Sequence, residues 1–235
     1  MIQVATHPTP RGYMSARTLP HAQHIFGTVE ESGWVSIDDS IRRATERLGP
    51  IAHMAQVHSN RVTYAHTSGL YTECDALYTD KPDLWLAVKT ADCVPVLISS
   101  PDAVAAVHAG WRGLESEILA ETIATLTDTY GLDATDLHVA IGPCICQQHY
   151  EVDGSFANIF PEKFLRESET EGKLMLDVAG LAAWQVQQAG VLDFHIQTMN
   201  RCTFEEEGVF YSHRRAVQTE TLEGNGRQLS LIKRA

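Results

Sequence analysis

The sequence of 235 residues lacks the features that would assign it to several large classes of protein. It has no apolar run approaching the roughly 18 residues of a membrane-spanning helix, so we expect no membrane partner. The start of the chain contains no apolar core of the kind that a signal peptide needs. Lysine and arginine form no run and the formal net charge is −12, which argues against binding of nucleic acid.

The cysteines form no recognisable pairing pattern. There are five of them, an odd number, and none belongs to a CxxC pair. In a chain without a predicted export signal, this favours reduced thiols and a cytoplasmic location. The sequence also lacks internal repeats, low-complexity segments and linkers rich in proline, glycine or serine. We therefore predict that residues 1–235 form a single domain.

Short apolar runs fill the middle of the chain. The segments "DALYT", "LWLAVKT", "VPVLIS", "AVAAVHA" and "LHVAIG" are typical of strands buried on both faces. Further strands are predicted at "IAHMAQV", "RVTYAH", "VLDFHIQ", "GVFYSH" and "RQLSLI". Helical spacing predicts helices over residues 36–49, from Leu114 to Tyr130, and over 178–190, and the charged segment 162–173 is expected at the surface. This mixture predicts an α+β fold, an α/β layered sandwich in which helices flank mixed sheets.

Three side chains able to bind a metal lie at the ends of predicted strands. His58 follows one strand in "QVHSN", Cys93 precedes another in "TADCVPVLI", and His108 ends the next in "VAAVHAG". If the last two strands are neighbours, Cys93 and His108 meet at one end of the sheet, where His58 can join them. Two histidines and one cysteine with an open fourth position form a recognised catalytic zinc arrangement, and this donor set also suits copper.

Spacing alone leaves two alternatives open. Cys93 and His108 also suit a nucleophile and its base in a hydrolase, and all three residues can be unrelated parts of the core. Asp92, an acid at the mouth of a buried sheet, needs a partner. Arg112 and the free amides near Gly113, at the start of a predicted helix, form a candidate anion site.

The order of several motifs resembles that of one known family. The segments "QVHSNRV", "TADC", "VAAVHAGWRGL", "IGPCI" followed by "YEV", the Cys202–Thr203 pair and "FYSHRR" are similar to those of the YfiH-like laccase-domain family. Its members are also called multicopper polyphenol oxidases or purine nucleoside phosphorylases. The resemblance extends from about Gln56 to Ile232.

The resemblance implies a metal, a reaction and roles for individual residues. It implies that His58, Cys93 and His108 bind zinc, with copper possible at the same site. The expected substrates are a small-molecule purine nucleoside and phosphate, in phosphorolysis of adenosine, inosine, guanosine or methylthioadenosine, together with deamination of adenosine. We expect a monomer or a homodimer. The candidate catalytic residues are Asp75, Asp92 and Arg112, and the candidate phosphate-binding residues are Arg61, Gly113 and Arg214.

Two segments depart from the family pattern. Residues 1–50 are divergent, with Val29 in place of the arginine of a "GFSTRxGG" motif, and "AVQTETLEGN" is inserted before the Gly-Arg pair at 226–227. The alternatives from other classes are a Cys93/His108 hydrolase and a peptidoglycan-precursor editing factor. A copper-dependent phenol oxidase ranks third, because the sequence has no His-x-His motif for a multinuclear copper centre.

Overall fold

The computed structural model describes residues 13–14, 19–29, 37–221 and 226–235 of the chain. The strands in these residues are β1 (Tyr13–Met14), β2 (Ala22–Gly27), β3 (Ile51–Ala55), β4 (Val62–Tyr64), β5 (Gly69–Thr72), β6 (Ala76–Thr79), β7 (Trp85–Thr90), β8 (Val94–Ser99), β9 (Val104–Ala109), β10 (His138–Ile141), β11 (Glu151–Asp153), β12 (Leu165–Glu167), β13 (Lys173–Leu176), β14 (Ile196–Thr198) and β15 (Gln228–Arg234). The helices are α1 (Ile37–Leu48), α2 (Trp111–Glu115), α3 (Ile118–Tyr130), α4 (Val178–Gln188) and α5 (His213–Gln218). No helix of this described part has the length and apolar character needed to cross a membrane.

The strands form two large mixed sheets and one small sheet. The first sheet has the order β1-β2-β15-β7-β3-β5 and the second has the order β14-β10-β8-β9-β6-β4. In the first sheet β3 runs parallel to β7, and in the second β8 and β9 form an antiparallel pair. A third, antiparallel sheet of β11, β13 and β12 includes part of the segment predicted to be a charged surface excursion. The predicted α+β fold is confirmed.

The two large sheets pack against each other and helices cover their outer faces. Phe26 and Met54 from the first sheet meet Leu77 and Leu97 from the second in an inter-sheet core. Helix α1 covers the other face of the first sheet, and α3 and α4 cover the other face of the second. Each central strand therefore has apolar neighbours on both sides, which explains the continuous apolar runs in the sequence.

The predicted helix that follows β9 is interrupted. Between α2 and α3 lies Glu117, whose left-handed φ of 60° does not continue a helix. The hydroxyl of Ser116 donates to the carbonyl of Arg112 at 2.8 Å, and this bond satisfies one carbonyl at the end of α2. Leu114 and Ile118 are both buried on either side of the interruption, so the apolar spacing gives no sign of it.

Two late segments differ from the predicted strands. Residues 208–212 form turns that lead into α5, and the Ser212 hydroxyl caps this helix by accepting from the Arg215 amide. Residues 193–195 form a 3₁₀ turn, so β14 is shorter than predicted. The pattern at 208–212 is apolar because Phe210 and Tyr211 are buried, although the segment belongs to no sheet.

Two expectations fall partly outside the described residues. These are the divergent N-terminal part, of which 1–12, 15–18 and 30–36 are not described, and residues 222–225 of the insertion. Val29, which is described, donates its amide to the carbonyl of Val209 at 2.9 Å.

From the packing of the inter-sheet core we predict that a cavity at its centre lowers the free energy of unfolding substantially. We expect Leu97→Ala to lower the free energy of unfolding by about 2–5 kcal/mol in urea denaturation, because Leu97 is fully buried between the sheets. Leu70→Ala is the matched control, since Leu70 on β5 is 56% exposed, and its effect should stay within about 0.5 kcal/mol. Equal effects of the two substitutions would contradict this placement of the core.

Candidate metal site and its cavities

The hairpin of β8 and β9 brings Cys93 and His108 to one edge of the second sheet. Its register pairs Val94 with Ala109 and Pro95 with His108. Cys93, one residue before β8, therefore lies beside the end of β9. The two strands are neighbours, as the sequence analysis required for these side chains to meet.

His58 reaches the same edge from the first sheet. It lies in the connection between β3 and β4, and its backbone has a left-handed φ of 62°. Three consecutive amides of this connection, those of residues 57–59, donate to the carboxylate of Asp75 at 3.2, 3.0 and 2.7 Å. The Ser59 hydroxyl adds a fourth bond of 2.8 Å. Asp75 therefore fixes the loop that presents His58.

Asp75 also contacts the second histidine. Its Oδ1 lies 2.8 Å from Nδ1 of His108, and both side chains are buried. The backbone carbonyl of Asp75 accepts from the His108 amide at 2.7 Å as well. With Nδ1 engaged, His108 has Nε2 left for a further partner, an arrangement common among metal-binding histidines that have a carboxylate behind them.

The donor atoms of His58, Cys93 and His108 form one compact group, which we call the first triad. They all lie within 4.8 Å of one another, and Sγ of Cys93 is 4.0 Å from Nε2 of His58. Imidazole nitrogens and a thiolate fit Zn²⁺ or copper and do not suit Mg²⁺ or Ca²⁺. His58 is exposed whereas His108 is only 3% exposed, so the group is reached by solvent from the His58 side.

The charges around the first triad favour a thiolate. Burial raises the pKa of Cys93, but hydrogen bonds from His108 and His58 outweigh burial and lower the pKa to about 6. Burial lowers the pKa of His108, but its bonds to Asp75 and Cys93 raise the pKa to about 9. Burial also raises the pKa of Asp75, while bonds from His108 and Ser59 bring it down to about 2. Carboxylate, imidazolium and thiolate therefore alternate along the group.

Gly110 packs directly against the first triad. A Cβ at this position would lie 2.8 Å from Cδ2 of His58 and 3.2 Å from Sγ of Cys93. Its φ of −74° is accessible to any residue, so lack of space is the reason for glycine here, and not backbone conformation.

Asp92 has both carboxylate oxygens in hydrogen bonds to surrounding loops. Oδ1 accepts from the Thr203 hydroxyl and Oδ2 accepts from the Arg214 amide, each at 2.7 Å. Asp92 is buried and its φ of 90° is left-handed. These bonds tie the turn between β7 and β8 to the start of α5. With both oxygens engaged in this way, the geometry of Asp92, a candidate catalytic residue, suits a positioning role.

Two cavities share His58 and Cys93 of the first triad. The smaller, of about 290 Å³, has aromatic, apolar and cationic walls that include Trp111, Ile145, Tyr150, Arg112 and Arg214. The larger, of about 460 Å³, also has basic side chains in its wall, those of Lys89 and Arg227, and His213 lines both cavities.

Arg112 and Arg214 line the smaller cavity. The sequence predicted an anion-binding role for Arg112 and a phosphate-binding role for Arg214. Arg112 is exposed, and its guanidinium carbon lies 4.4 Å from the centre of the Trp111 ring. The guanidinium of Arg214 donates to the carbonyls of His149 and Glu151 at 3.4 and 2.9 Å. Arg214 is therefore engaged with the backbone, whereas Arg112 extends along the cavity wall.

Arg61 and Gly113 lie elsewhere. Arg61 forms an exposed salt bridge of 3.0 Å with Glu73. Gly113 is buried, and a Cβ there would lie 3.3 Å from a methyl carbon of Ile118 and 3.4 Å from the carbonyl oxygen of Ser59. Neither residue is among those that line the two cavities just described.

Several residues at the cavities were not singled out from the sequence. Trp111 and Tyr150 line the smaller cavity, and Lys89, His213 and Arg227 line the larger one. Lys89 directly precedes the "TADC" motif and His213 lies within "FYSHRR", so their positions in or beside these motifs were the signal available in the sequence. Arg227 belongs to the Gly-Arg pair noted in the sequence, and it reaches the cavity because the adjacent strand β15 pairs with β7.

Comparison with known proteins identifies the family. A family model described as "Multi-copper polyphenol oxidoreductase laccase" matches residues 35–235. The chain belongs to this laccase family. A Deinococcus radiodurans protein named purine nucleoside phosphorylase is 38% identical over 168 residues, which cover 70% of this chain and 64% of that protein. A Haemophilus influenzae protein of the same name is 35% identical over 188 residues, covering 76% of this chain and 72% of the relative. The chain thus spans a little under two thirds of the length of the Deinococcus relative.

Solved structures have the same fold. The crystal structure of YlmD from Geobacillus stearothermophilus matches with a TM-score of 0.84 at 27% identity, over 99% of both chains. Protein NMB0706 from Neisseria meningitidis matches with a TM-score of 0.78 at 27% identity, over 95% of this chain and 99% of that one. The family and fold predicted from the motifs are confirmed.

Gly110 offers a test of the first triad that leaves its ligands in place. In Gly110→Ala the new methyl group must displace the His58 imidazole or the Cys93 thiol. We expect the affinity for Zn²⁺ to fall by about tenfold or more, measured by competition with a chelator. Gly208→Ala is the control, because a Cβ at Gly208 meets nothing within 4 Å. An unchanged zinc affinity in Gly110→Ala would argue against metal binding at this place.

Asp75 offers a test of the carboxylate behind the histidines. Asp75→Asn keeps the shape of the side chain but points its NH₂ group at groups that now donate hydrogen bonds to the carboxylate. We therefore expect the affinity for Zn²⁺ to fall about 10–100-fold. The free energy of unfolding should fall by about 1–3 kcal/mol, because buried donors lose their acceptor. Chelator competition and urea denaturation measure the two effects. Asp83→Asn removes the same charge at an exposed position, and identical results for both variants would exclude an orienting role for Asp75.

Proposed function

We propose that this protein is a zinc-dependent enzyme that cleaves purine nucleosides with phosphate. Its substrates are adenosine, inosine, guanosine or methylthioadenosine, and its products are a purine base and a pentose 1-phosphate. The same pocket also deaminates adenosine, with water as the nucleophile. In that reaction water attacks C6 of the purine and ammonia leaves, whereas phosphate attacks C1′ of the ribose and the purine base leaves. The names of the Deinococcus and Haemophilus relatives support the phosphorolysis.

The observation that carries this proposal is the first triad beside a cavity with aromatic and cationic walls. Zinc held by three protein ligands supplies a Lewis acid with an open coordination position, able to polarise an oxygen or to generate a nucleophile at neutral pH. Trp111 and Tyr150 present rings of the kind on which nucleobases stack. Arg112 adds a guanidinium, which suits phosphate recognition.

The contacts of the arginines and acids suggest how each contributes. Asp75 orients His108 and the His58 loop, and Asp92 positions the segment that carries Arg214. Arg112 binds phosphate, because its guanidinium extends along the cavity wall on Trp111.

Arg214, Arg61 and Gly113 act indirectly. The Arg214 guanidinium donates hydrogen bonds to the carbonyls of the residues before and after Tyr150, and these bonds keep the Tyr150 ring in the cavity wall. The carbonyl of Arg61 accepts from the Asp75 amide at 3.1 Å, and Gly113 lets α2 approach the Ser59 carbonyl closely. These three residues support the walls and the His58 loop.

One observation favours a second candidate, a hydrolase with Cys93 as its nucleophile. The pKa of Cys93 is lowered to about 6 beside a histidine whose pKa is raised to about 9, as in a thiolate–imidazolium pair. Its substrate would be an amide or an amino-sugar-linked precursor. The two candidates differ in their response to zinc, which activates the metalloenzyme but blocks a cysteine nucleophile.

Metal analysis coupled to a nucleoside assay tests the proposal. The purified protein is stripped with a chelator, reloaded with Zn²⁺, and incubated with inosine and phosphate. We expect release of base and pentose 1-phosphate that depends on both zinc and phosphate. His108→Ala and Cys93→Ser should lose the one zinc ion of the first triad and reduce turnover by more than about 100-fold, because losing a ligand has a larger effect than losing a group behind it.

Control variants and alternative substrates separate the candidates. His66→Ala should behave as the unmodified protein, because His66 is exposed and its ring faces Tyr71. Turnover of an amide substrate by zinc-free protein, lost in Cys93→Ser, would establish the hydrolase instead. Copper-dependent oxidation of a diphenol by dioxygen would support the activity in the family description. Absence of both zinc and phosphate-dependent turnover would contradict the proposal.

A further inference from the structure

A second group of metal-ligating side chains shares no residue with the first triad. The donor atoms of Cys146, His149 and Glu205 all lie within 4.8 Å of one another. We propose that these three side chains, the second triad, bind a zinc ion. Cys146 and His149 are partly buried and Glu205 is exposed, so an ion can enter from solvent.

Local structure explains why Cys146 and His149 face the same way. Residues Gln147–His149 form a 3₁₀ turn that begins after Cys146, and the His149 amide donates to the Cys146 carbonyl at 3.1 Å. Side chains three residues apart eclipse each other in such a turn. The spacing Cys-x-x-His therefore places a thiol and an imidazole on one side of the turn.

Glu205 belongs to a segment that is distant in sequence but lies beside this turn through backbone hydrogen bonds. The Thr203 amide donates to the Cys144 carbonyl at 3.0 Å, and Cys144 and Cys202 form an isolated parallel bridge. These contacts hold the segment of Glu205 next to the segment of Cys146. The third donor is thus supplied by the fold and not by a local motif.

The distances suit a tetrahedral ion. Oε1 of Glu205 is 3.7 Å from Sγ of Cys146 and 3.1 Å from Nε2 of His149. Ligand atoms at about 2.0–2.3 Å from a tetrahedral zinc ion lie roughly 3.3–3.8 Å apart. The 3.7 Å distance lies within this range and the 3.1 Å distance is slightly shorter, so small side-chain rotations bring the three atoms around one ion.

Neighbouring groups fix the orientation of these donors. The His149 ring stacks on Phe204, with centres 4.3 Å apart and an angle of 20° between the planes. The Cys146 amide donates to Sγ of Cys202 at 3.3 Å, so a second sulfur borders the second triad. Thiolate, imidazole and carboxylate are all zinc ligands, and the soft sulfur disfavours Mg²⁺ and Ca²⁺.

An ion at the second triad would act on the wall of the smaller cavity. Ile145 and Tyr150 lie on either side of the Cys-x-x-His turn and line that cavity. The carbonyl of His149 also accepts from Arg214. The ion joins the turn to the segment of Glu205 and so restrains this wall. Its role is structural, and the inference stands independently of the reaction proposed above.

Cobalt titration of a variant without the first triad tests this inference. In the Cys93→Ser/His108→Ala double variant, kept reduced, Co²⁺ should produce the charge-transfer absorption of cobalt bound to thiolate. The signal should saturate at one ion per chain and disappear when Zn²⁺ displaces the cobalt. Adding Cys146→Ser should abolish the signal, and adding Glu205→Gln should weaken Co²⁺ binding by about tenfold or more.

The matched control is Glu207→Gln, because Glu207 is an exposed acid two residues further along the same segment. It should leave Co²⁺ binding unchanged. The single variant Cys146→Ser and the unmodified protein are each saturated with Zn²⁺ and freed of excess ion. The variant should then hold one zinc ion per chain fewer than the unmodified protein. This second measurement does not require the double variant to fold. A missing cobalt signal in a folded double variant, a signal that persists with Cys146→Ser, or equal zinc contents would overturn the inference.

Discussion

The buried carboxylate of Asp75 is the interaction on which the first triad depends. A buried charge is costly unless hydrogen bonds replace the water that it has lost, and Asp75 accepts bonds from three amides, a hydroxyl and an imidazole. These donors belong to two parts of the fold, the connection after β3 and the end of β9. Because one charge serves both, neither part can move without leaving the carboxylate under-satisfied. The orientations of His58 and His108 are therefore set together.

The position of the first triad follows from how the chain passes between the two large sheets. Strands β3 and β7 are parallel neighbours in the first sheet, so they end at the same edge. Each then crosses to the second sheet, β3 through the connection that carries His58 and β7 through the turn that carries Cys93. Strand β9 runs antiparallel to β8, so its end, with His108, reaches that edge too. The three candidate ligand side chains meet because the layered architecture brings these strand ends together.

The parts of this arrangement with a local cause are predictable from the sequence. Burial on both faces makes most residues of a central strand apolar, so the strands and the three candidate ligand residues at their ends can be predicted from pattern and motif. The other parts depend on contacts between distant segments. Nothing near Gly110 in the sequence shows that His58 fills the space of a Cβ there. The sequence indicates that Asp92 needs a partner, but nothing near it shows that Thr203 and Arg214 supply the donors. Buried turns at 208–212 look like a strand for the same reason.

The two cysteine clusters show how neighbours decide the state of a thiol. Burial raises the pKa of both Cys93 and Cys146. At Cys93, hydrogen bonds from two imidazoles outweigh burial and lower the pKa to about 6, so a thiolate exists at neutral pH. At Cys146, the neighbouring Cys202 and Glu205 add to burial and raise the pKa to about 12, so the thiol keeps its proton until a cation such as the proposed zinc ion displaces it. The difference at Cys93 rests on a protonated His108, and His108 is protonated because Asp75 lies behind it. A carboxylate with no direct contact to the sulfur thus determines which cysteine is ready for chemistry.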